Sequence, residues 1–312
     1  MVQKKFDGEI LSIKDTIDVL EAIEKDKNFV KPTFITGIQQ QFPFGIWFRG
    51  QSDTEYKLQP TIFREKITKT FIKKDLETKF YNETSIFIHS KLRLANLLKD
   101  YQSSFDWLCL MQHYEVPTRI LDWSESILVA LYFAVRNSLE KESDAELIVL
   151  NARALNNHVR EKYMIATPDT FDTTIRSEMT HHKMVSRLLS DKNVIEKAAE
   201  ERIDIQKIED KYIKPISIFP YRLNERMVFQ SSVFTLHGGK KYFENEIIYE
   251  NDRIPDTISL EEVNKEINIL KFYKIPNHAK SDIEKNLFMI GIHEGTLFPE
   301  LDRQSIYLKQ LW

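Results

Sequence analysis

Two groups of side chains in this sequence have the types and spacing to do chemistry. The first is Trp47-Phe48-Arg49-Gly50-Gln51. An arginine at the end of an aromatic strand, followed by glycine, presents a rigid guanidinium fork beside backbone that can be approached closely. That geometry suits a bidentate grip on phosphate or carboxylate. It equally suits a structural arginine that pairs with Asp122 or with a helix C-terminus. The second group runs from Gln112 through His113, Tyr114, Glu115, Thr118, Arg119, Asp122 and Trp123 to Ser124, straight into the apolar run Ile127–Ala134. An unpaired buried polar group costs about 1–3 kcal/mol, so polar groups set against a core need a partner or a task. The stretch is either a fully satisfied turn or the wall of a site.

Within it, Asp122 or Ser124 reads as the N-cap of the following helix. The sharper role for Asp122 is a carboxylate paired with Arg119 or Arg49, and Pro117-Thr118 would fix the turn that leads in. His113 and Tyr114 could take part in proton transfer or stack on a planar ring; a histidine satisfied by local hydrogen bonds is the structural alternative. Metal ligation is disfavoured, because His181 and His182 are adjacent and no His-Glu-x-x-His spacing occurs. The sequence contains no Gly-x-Gly-x-x-Gly, no phosphate-binding Gly-Lys-Thr loop and no Gly-x-Ser-x-Gly elbow, which argues against P-loop and serine-hydrolase chemistry.

The elements that must hold these residues read as an α+β chain. An amphipathic helix is expected over 12–27, where Ile17, Leu20 and Ile23 recur at helical spacing behind Ser12 and Asp15. Ile46–Arg49 reads as a strand bounded by Pro43, Gly45 and Gly50. Residues 64–100 read as helical, with Ile67, Phe71, Phe80 and Phe87 inward and a basic outer face of Lys66, Lys69, Lys73, Lys74 and Lys79, for which solvation is the default explanation. A helix over 124–139 is apolar on nearly every side and must be buried. Leu147–Leu150 reads as a buried strand, 173–214 as a charged helical insertion, 226–236 and 266–273 as strands, and 280–290 and 302–311 as the last helices. The expected architecture is a small mixed β-sheet ringed by helices. A helical lead-in over 1–40 precedes one composite domain over 41–312.

Composition narrows the class. The 312 residues are 42% hydrophobic, and 20 Phe and 12 Tyr against 8 Gly point to an aromatic, helix-containing interior. Mean hydropathy is −0.39. A net charge of −3 gives no global basic footprint for nucleic acid, though it leaves room for a local groove. Cys109 is the lone cysteine, which excludes an internal disulfide and a cysteine-based zinc cluster. No run approaches the roughly 18 apolar residues of a membrane span, and the first residues carry no apolar signal segment, so a cytoplasmic protein without a membrane partner is expected.

The chain resembles the FRG family, domains named for a short aromatic-Arg-Gly motif, carried here by Trp47-Phe48-Arg49-Gly50-Gln51. Leu58-Gln59-Pro60-Thr61-Ile62-Phe63-Arg64 follows, then the Gln112–Ser124 block, Arg226–Thr235, and Gly291-Ile292 with Thr296–Asp302. The blocks keep the family's order over roughly residues 40 to 310. Two departures stand out: Glu115 replaces the usual glycine after His-Tyr, and Ser232 stands where a glycine is common before Phe234.

The succession of Arg-Gly on an early strand, a serine-containing strand entering an Ala-x-x-Phe-Ala helix, and a late strand also resembles the ADP-ribosyltransferase fold. That resemblance implies NAD as a substrate and no metal, with Arg49, Gly50, Gln51, His113, Tyr114, Arg119, Ser124 and Phe234 around it. Leaving of nicotinamide develops an oxocarbenium-like ribose that needs a nearby carboxylate. The expected late glutamate is missing: Gln230 is nearest, and Glu225 lies five residues before it. Arg49, Asp122, Gln230 and Glu225 are therefore the catalytic candidates, with Glu294 a further source of charge. The family resemblance implies a bacterial toxin or anti-phage defence effector, with a toxin–antitoxin partnership and a protein or nucleic-acid acceptor gripped by the 66–99 and 173–214 segments. The alternatives are a non-catalytic nucleotide- or ligand-binding module and an interaction scaffold.

Overall fold

The computed structural model describes residues 4–29, 34–35, 38–39, 45–64, 66–69, 76–79, 81, 83–94, 104–136, 142–160, 165–168, 214–238 and 258–311. Its strands are β1 (Gly8–Glu9), β2 (Phe34–Ile35), β3 (Ile38–Gln39), β4 (Ile46–Gln51), β5 (Lys66–Lys69), β6 (Leu76–Lys79), β7 (Ile120–Ser124), β8 (Ala145–Asn151), β9 (Ile216–Ile218), β10 (Ser232–Leu236) and β11 (Leu270–Ile275). Its helices are α1 (Asp15–Lys25), α2 (Glu83–Leu94), α3 (Ser104–His113), α4 (Ile127–Val135), α5 (Ala152–Arg160), α6 (Glu225–Phe229), α7 (Leu260–Glu266), α8 (Asn277–Met289), α9 (Glu294–Leu297) and α10 (Leu301–Leu311).

Strand β8 sets the architecture, because all seven of its residues are buried. A strand buried on both faces needs cover above and below. Its side chains alternate between two hydrophobic cores. Ile148 and Leu150 join Trp47, Phe105, Leu108, Trp123, Leu155 and Val263 on one face. Leu147 and Val149 join Phe48, Val19, Ile23, Leu131 and Ile283 on the other. Helices α3, α5 and α7 thus cover one side of the sheet, and α1, α4 and α8 the other.

The central sheet has seven strands in the order β1-β11-β8-β4-β7-β10-β9. β1 pairs with β11 in parallel and the other pairings are antiparallel, so the sheet is mixed, as expected. β4 pairs with β8 along the whole of β4, Ile46↔Asn151 through Gln51↔Glu146. β7 and β10 pair along their full length, Ser124↔Ser232 through Ile120↔Leu236. β4 and β7, by contrast, meet only at Phe48↔Ser124. Beyond that point the two strands part, in the middle of the sheet.

Several local expectations change. Lys66–Lys69 and Leu76–Lys79 pair as antiparallel strands, β5 with β6, and only Glu83–Leu94 of the 64–100 segment is described as helix. In Lys66-Ile67-Thr68-Lys69 the apolar and β-branched residues sit next to one another, a local pattern that fits a strand as well as one face of a helix. Arg226–Phe229 lies in a helical turn, α6, because the Asn224 side chain caps it by accepting from Met227 N at 2.9 Å; β10 starts only at Ser232. Asp122 lies inside β7, and the cap of α4 is neither Asp122 nor Ser124 but Ser126, whose side chain accepts from Val129 N. The expected insertion at 173–214 lies outside the described residues except for Lys214. Among the described residues no helix is long and apolar enough to cross a membrane.

Candidate functional site

A cleft of about 1070 Å³ opens where β4 and β7 separate. Arg49 spans the gap: its Nη1 donates to the main-chain carbonyl of Asp122 at 2.5 Å, so a side chain closes what the ladder leaves open. Burial draws the Arg49 pKa down to about 10, with the Asp122 charge pushing upward and that of Arg64 downward; the group is still a cation at neutral pH. Its Nε–H is buried with no partner among the described residues.

Three segments wall the cleft. The connection after β4 contributes Glu55, Tyr56, Lys57, Gln59, Thr61 and Arg64. Helix α4 presents Ala130, Phe133 and the adjacent Arg136, whose spacing of three puts them on one helix face. The third wall gathers Arg226, Gln230, Phe298 and Arg303 from α6 and the α9–α10 region. Phe298 anchors this last wall, with the Arg226 guanidinium 4.7 Å and that of Arg303 5.7 Å from its ring centre.

The charge balance of the lining is one-sided. Arg49, Arg64, Arg136, Arg226, Arg303 and Lys57 face three carboxylates, Glu55, Glu115 and Asp122. Arg303 pairs with Glu115 at 2.6 Å, and Arg226 lies 4.0 Å from Glu300. Arg64 donates twice to the carbonyl of Gln59, at 3.0 and 2.9 Å, rather than to a carboxylate. Such a surface attracts anions.

Asp122 is exposed to the cleft, and its Oδ2 accepts from Gln112 Nε2 at 2.5 Å. Gln112 in turn accepts from Thr118 Oγ1 at 2.5 Å. The polar block of the sequence is thus a relay that orients the Asp122 carboxylate, reaching back to the turn after α3.

Of the residues singled out from sequence, Arg49, Gly50, Gln51, Asp122, Ser124 and Gln230 line the cleft. Three of these are occupied by the fold. A Cβ on Gly50 would lie 1.9 Å from Ala130 O, so its bare backbone face receives α4. Ser124 Oγ donates to Gln230 O at 2.8 Å and accepts from Ser126 N at 3.0 Å. Gln230 Nε2 donates to Leu297 O at 3.0 Å.

The others are not brought to the lining. Arg119 is buried and forms a bidentate pair with Glu83, Nε to Oε1 at 2.7 Å and Nη2 to Oε2, so it neither pairs with Asp122 nor faces the cleft. Phe234 is a core residue, edge-on to Phe105. His113 is half-buried 3.4 Å from Glu300, and burial followed by the Arg226 charge lowers its pKa. Tyr114 is exposed and packs edge-on against the His113 ring. Glu225 starts α6 and is exposed to solvent. Asp122 is therefore the one candidate catalytic carboxylate that lines the cleft.

Sequence reasoning missed Arg64, Arg136 and Arg303. Arg64 lay inside a recognised block and could have been weighed as a second cation. Arg136 and Arg303 carry no local signal, since only tertiary packing brings them to the cleft. Among the described residues no His, Cys, Asp and Glu group could hold a metal ion.

The FRG domain family model matches residues 45–143, so an FRG domain occupies this part of the chain. It contributes β4, the 52–64 wall, Asp122 and α4; Arg226, Gln230, Phe298 and Arg303 come from beyond it. No curated protein and no solved structure matches the chain.

Proposed function

We propose that the cleft binds a phosphate-bearing, nucleotide-sized ligand, and that the protein is an ADP-ribosyltransferase-like enzyme using NAD. The observation that carries this reading is the lining itself: six cations against three carboxylates, with one of the three, Asp122, oriented by a glutamine beside Arg49. The volume falls at the upper end of small-molecule sites. In the proposed reaction the C–N bond between ribose and nicotinamide breaks and its electron pair leaves with nicotinamide. The ribosyl carbon becomes cationic, an acceptor nucleophile bonds to it, and the acceptor loses a proton. Asp122 would stabilise the developing cation, and the arginines would hold the phosphates. The acceptor is a protein or a nucleic acid.

A non-catalytic binding module is the second reading. It is favoured by Ser124 and Gln230, whose side chains serve the fold rather than a ligand. Nicotinamide release from NAD, measured with cell lysate as acceptor source, separates the two. Asp122→Asn is expected to reduce release by about a hundredfold while NAD still shifts the melting temperature. An NAD-induced shift without any release would select the binding module, and neither shift nor release would refute both readings for NAD.

A further inference from the structure

The two cations at the mouth of the β4–β7 gap are arranged for one ligand chemistry in particular. Arg49 and Arg64 line the same cleft, and the Arg64 charge opposes that of Arg49. Neither is hydrogen-bonded to a carboxylate among the described residues: Arg49 donates to the Asp122 carbonyl and Arg64 to the Gln59 carbonyl. Asp122 offsets part of the Arg49 charge, but its carboxylate hydrogen bond goes to Gln112. Both guanidiniums thus keep donors that no carboxylate among the described residues takes by hydrogen bond, and an incoming anion can fill them. The buried Nε–H of Arg49 adds an unmet donor to the same place.

We propose that Arg49 and Arg64 form a two-arginine clamp for a phosphate or diphosphate group. The clamp rests on the reading of the cleft as a nucleotide site and names which anion it takes and which residue outside the Arg-Gly motif takes it. Phosphate fits better than carboxylate for a geometric reason. One carboxylate is satisfied by one guanidinium fork, whereas the tetrahedral oxygens of a phosphate accept from two forks at once and carry the larger charge.

The test uses the full chain and inorganic pyrophosphate, with succinate as the dicarboxylate comparison, read by calorimetric titration. Wild type is expected to bind pyrophosphate at least tenfold more tightly than succinate. Arg64→Ala is expected to weaken pyrophosphate at least tenfold, and Arg64 is exposed, so its removal leaves the core intact. Lys285→Ala, which removes one exposed positive charge on α8, is expected to leave the affinity unchanged and so separates a clamp from bulk attraction. Equal binding of succinate and pyrophosphate, or an Arg64→Ala protein that binds pyrophosphate like wild type, would overturn the clamp. The two readings fail separately. Arg64-dependent pyrophosphate binding without nicotinamide release upholds the clamp and refutes the transferase. Nicotinamide release with an unchanged KM in Arg64→Ala does the reverse.

Discussion

Glu115 shows how one residue can work against its own backbone. It follows the C-terminus of α3 at φ 58°, in the left-handed region that glycine favours. A side chain there costs about 1–2 kcal/mol. In return Glu115 pairs with Arg303, but Glu115 is exposed and Arg303 only partly buried, so the pair contributes less than about 1 kcal/mol. Glu115→Ala keeps the strained backbone and loses the pair; Glu115→Gly loses the pair and relieves the strain. Urea denaturation is therefore expected to place Glu115→Gly about 1 kcal/mol above Glu115→Ala in stability, at an unchanged m-value. Equal midpoints would mean that the backbone carries no strain. Both substitutions also remove a carboxylate from the cleft and release Arg303, so both are expected to tighten pyrophosphate binding by a few-fold.

At the scale of elements, the seam between β4 and α4 fixes the cleft. Gly50 lies directly under the helix, and an added Cβ would meet Ala130 O at 1.9 Å and Ala134 N at 2.5 Å. Both are main-chain atoms and cannot rotate away, so Gly50→Ala must lift α4 from the sheet. The expected cost is about 3 kcal/mol or more, read as a lowered melting temperature, with Phe133 and Arg136 displaced from their wall. A Gly50→Ala protein that melts like wild type would show that α4 is not seated as described. The same seam explains what the sequence could and could not reveal. Ile46–Arg49 was legible as a strand because Gly45 and Gly50 bound an aromatic run, and Arg49 and Asp122 were legible because polar residues abutted the most apolar helix. Met227-Val228-Phe229 read as strand because three consecutive apolar residues carry no period, although Asn224 and Glu225 already marked a helix start. The Glu83 partner of Arg119 was invisible, since it comes from a helix 36 residues away. The rest of the arginine cluster is invisible for the same reason: it is assembled by parting strands and converging helices, none of which leaves a local pattern.

For the whole molecule, two buried titratable groups at different places in the sheet give opposing dependences on pH. Glu146, on β8 and paired with Lys4, has its pKa raised by burial from 4.5 to about 7, with Glu261 and Asp53 adding to the rise and Lys4 opposing it. His237, just after β10, has its pKa lowered by burial and by Arg49 and Arg119 from 6.5 to about 3. A carboxyl raised on folding contributes stability that is present below about 4.5 and is lost as pH rises through about 7. An imidazole depressed on folding contributes stability that is present above 6.5 and is lost as pH falls through about 3. Between pH 4.5 and 6.5 the two slopes oppose each other, so the wild-type profile is flattened there by cancellation. Removing either group should expose the other. Glu146→Gln is expected to become more stable with rising pH across this interval, and its stability relative to wild type should climb by about 1–3 kcal/mol between pH 4.5 and 7. His237→Gln is expected to lose stability as pH rises over the same range. Melting curves at half-unit steps of pH test both, and a difference between wild type and Glu146→Gln that stays constant from pH 4.5 to 7.5 would show that folding does not raise the Glu146 pKa. The cancellation matters for the cleft, because Gln51 pairs with Glu146 in the sheet and Arg49 helps to keep His237 neutral. An anion bound at Arg49 would partly screen that charge from His237 and raise its pKa, so ligand binding is expected to take up a fraction of a proton below about pH 5. Titration in two buffers of different ionisation enthalpy would read that uptake directly.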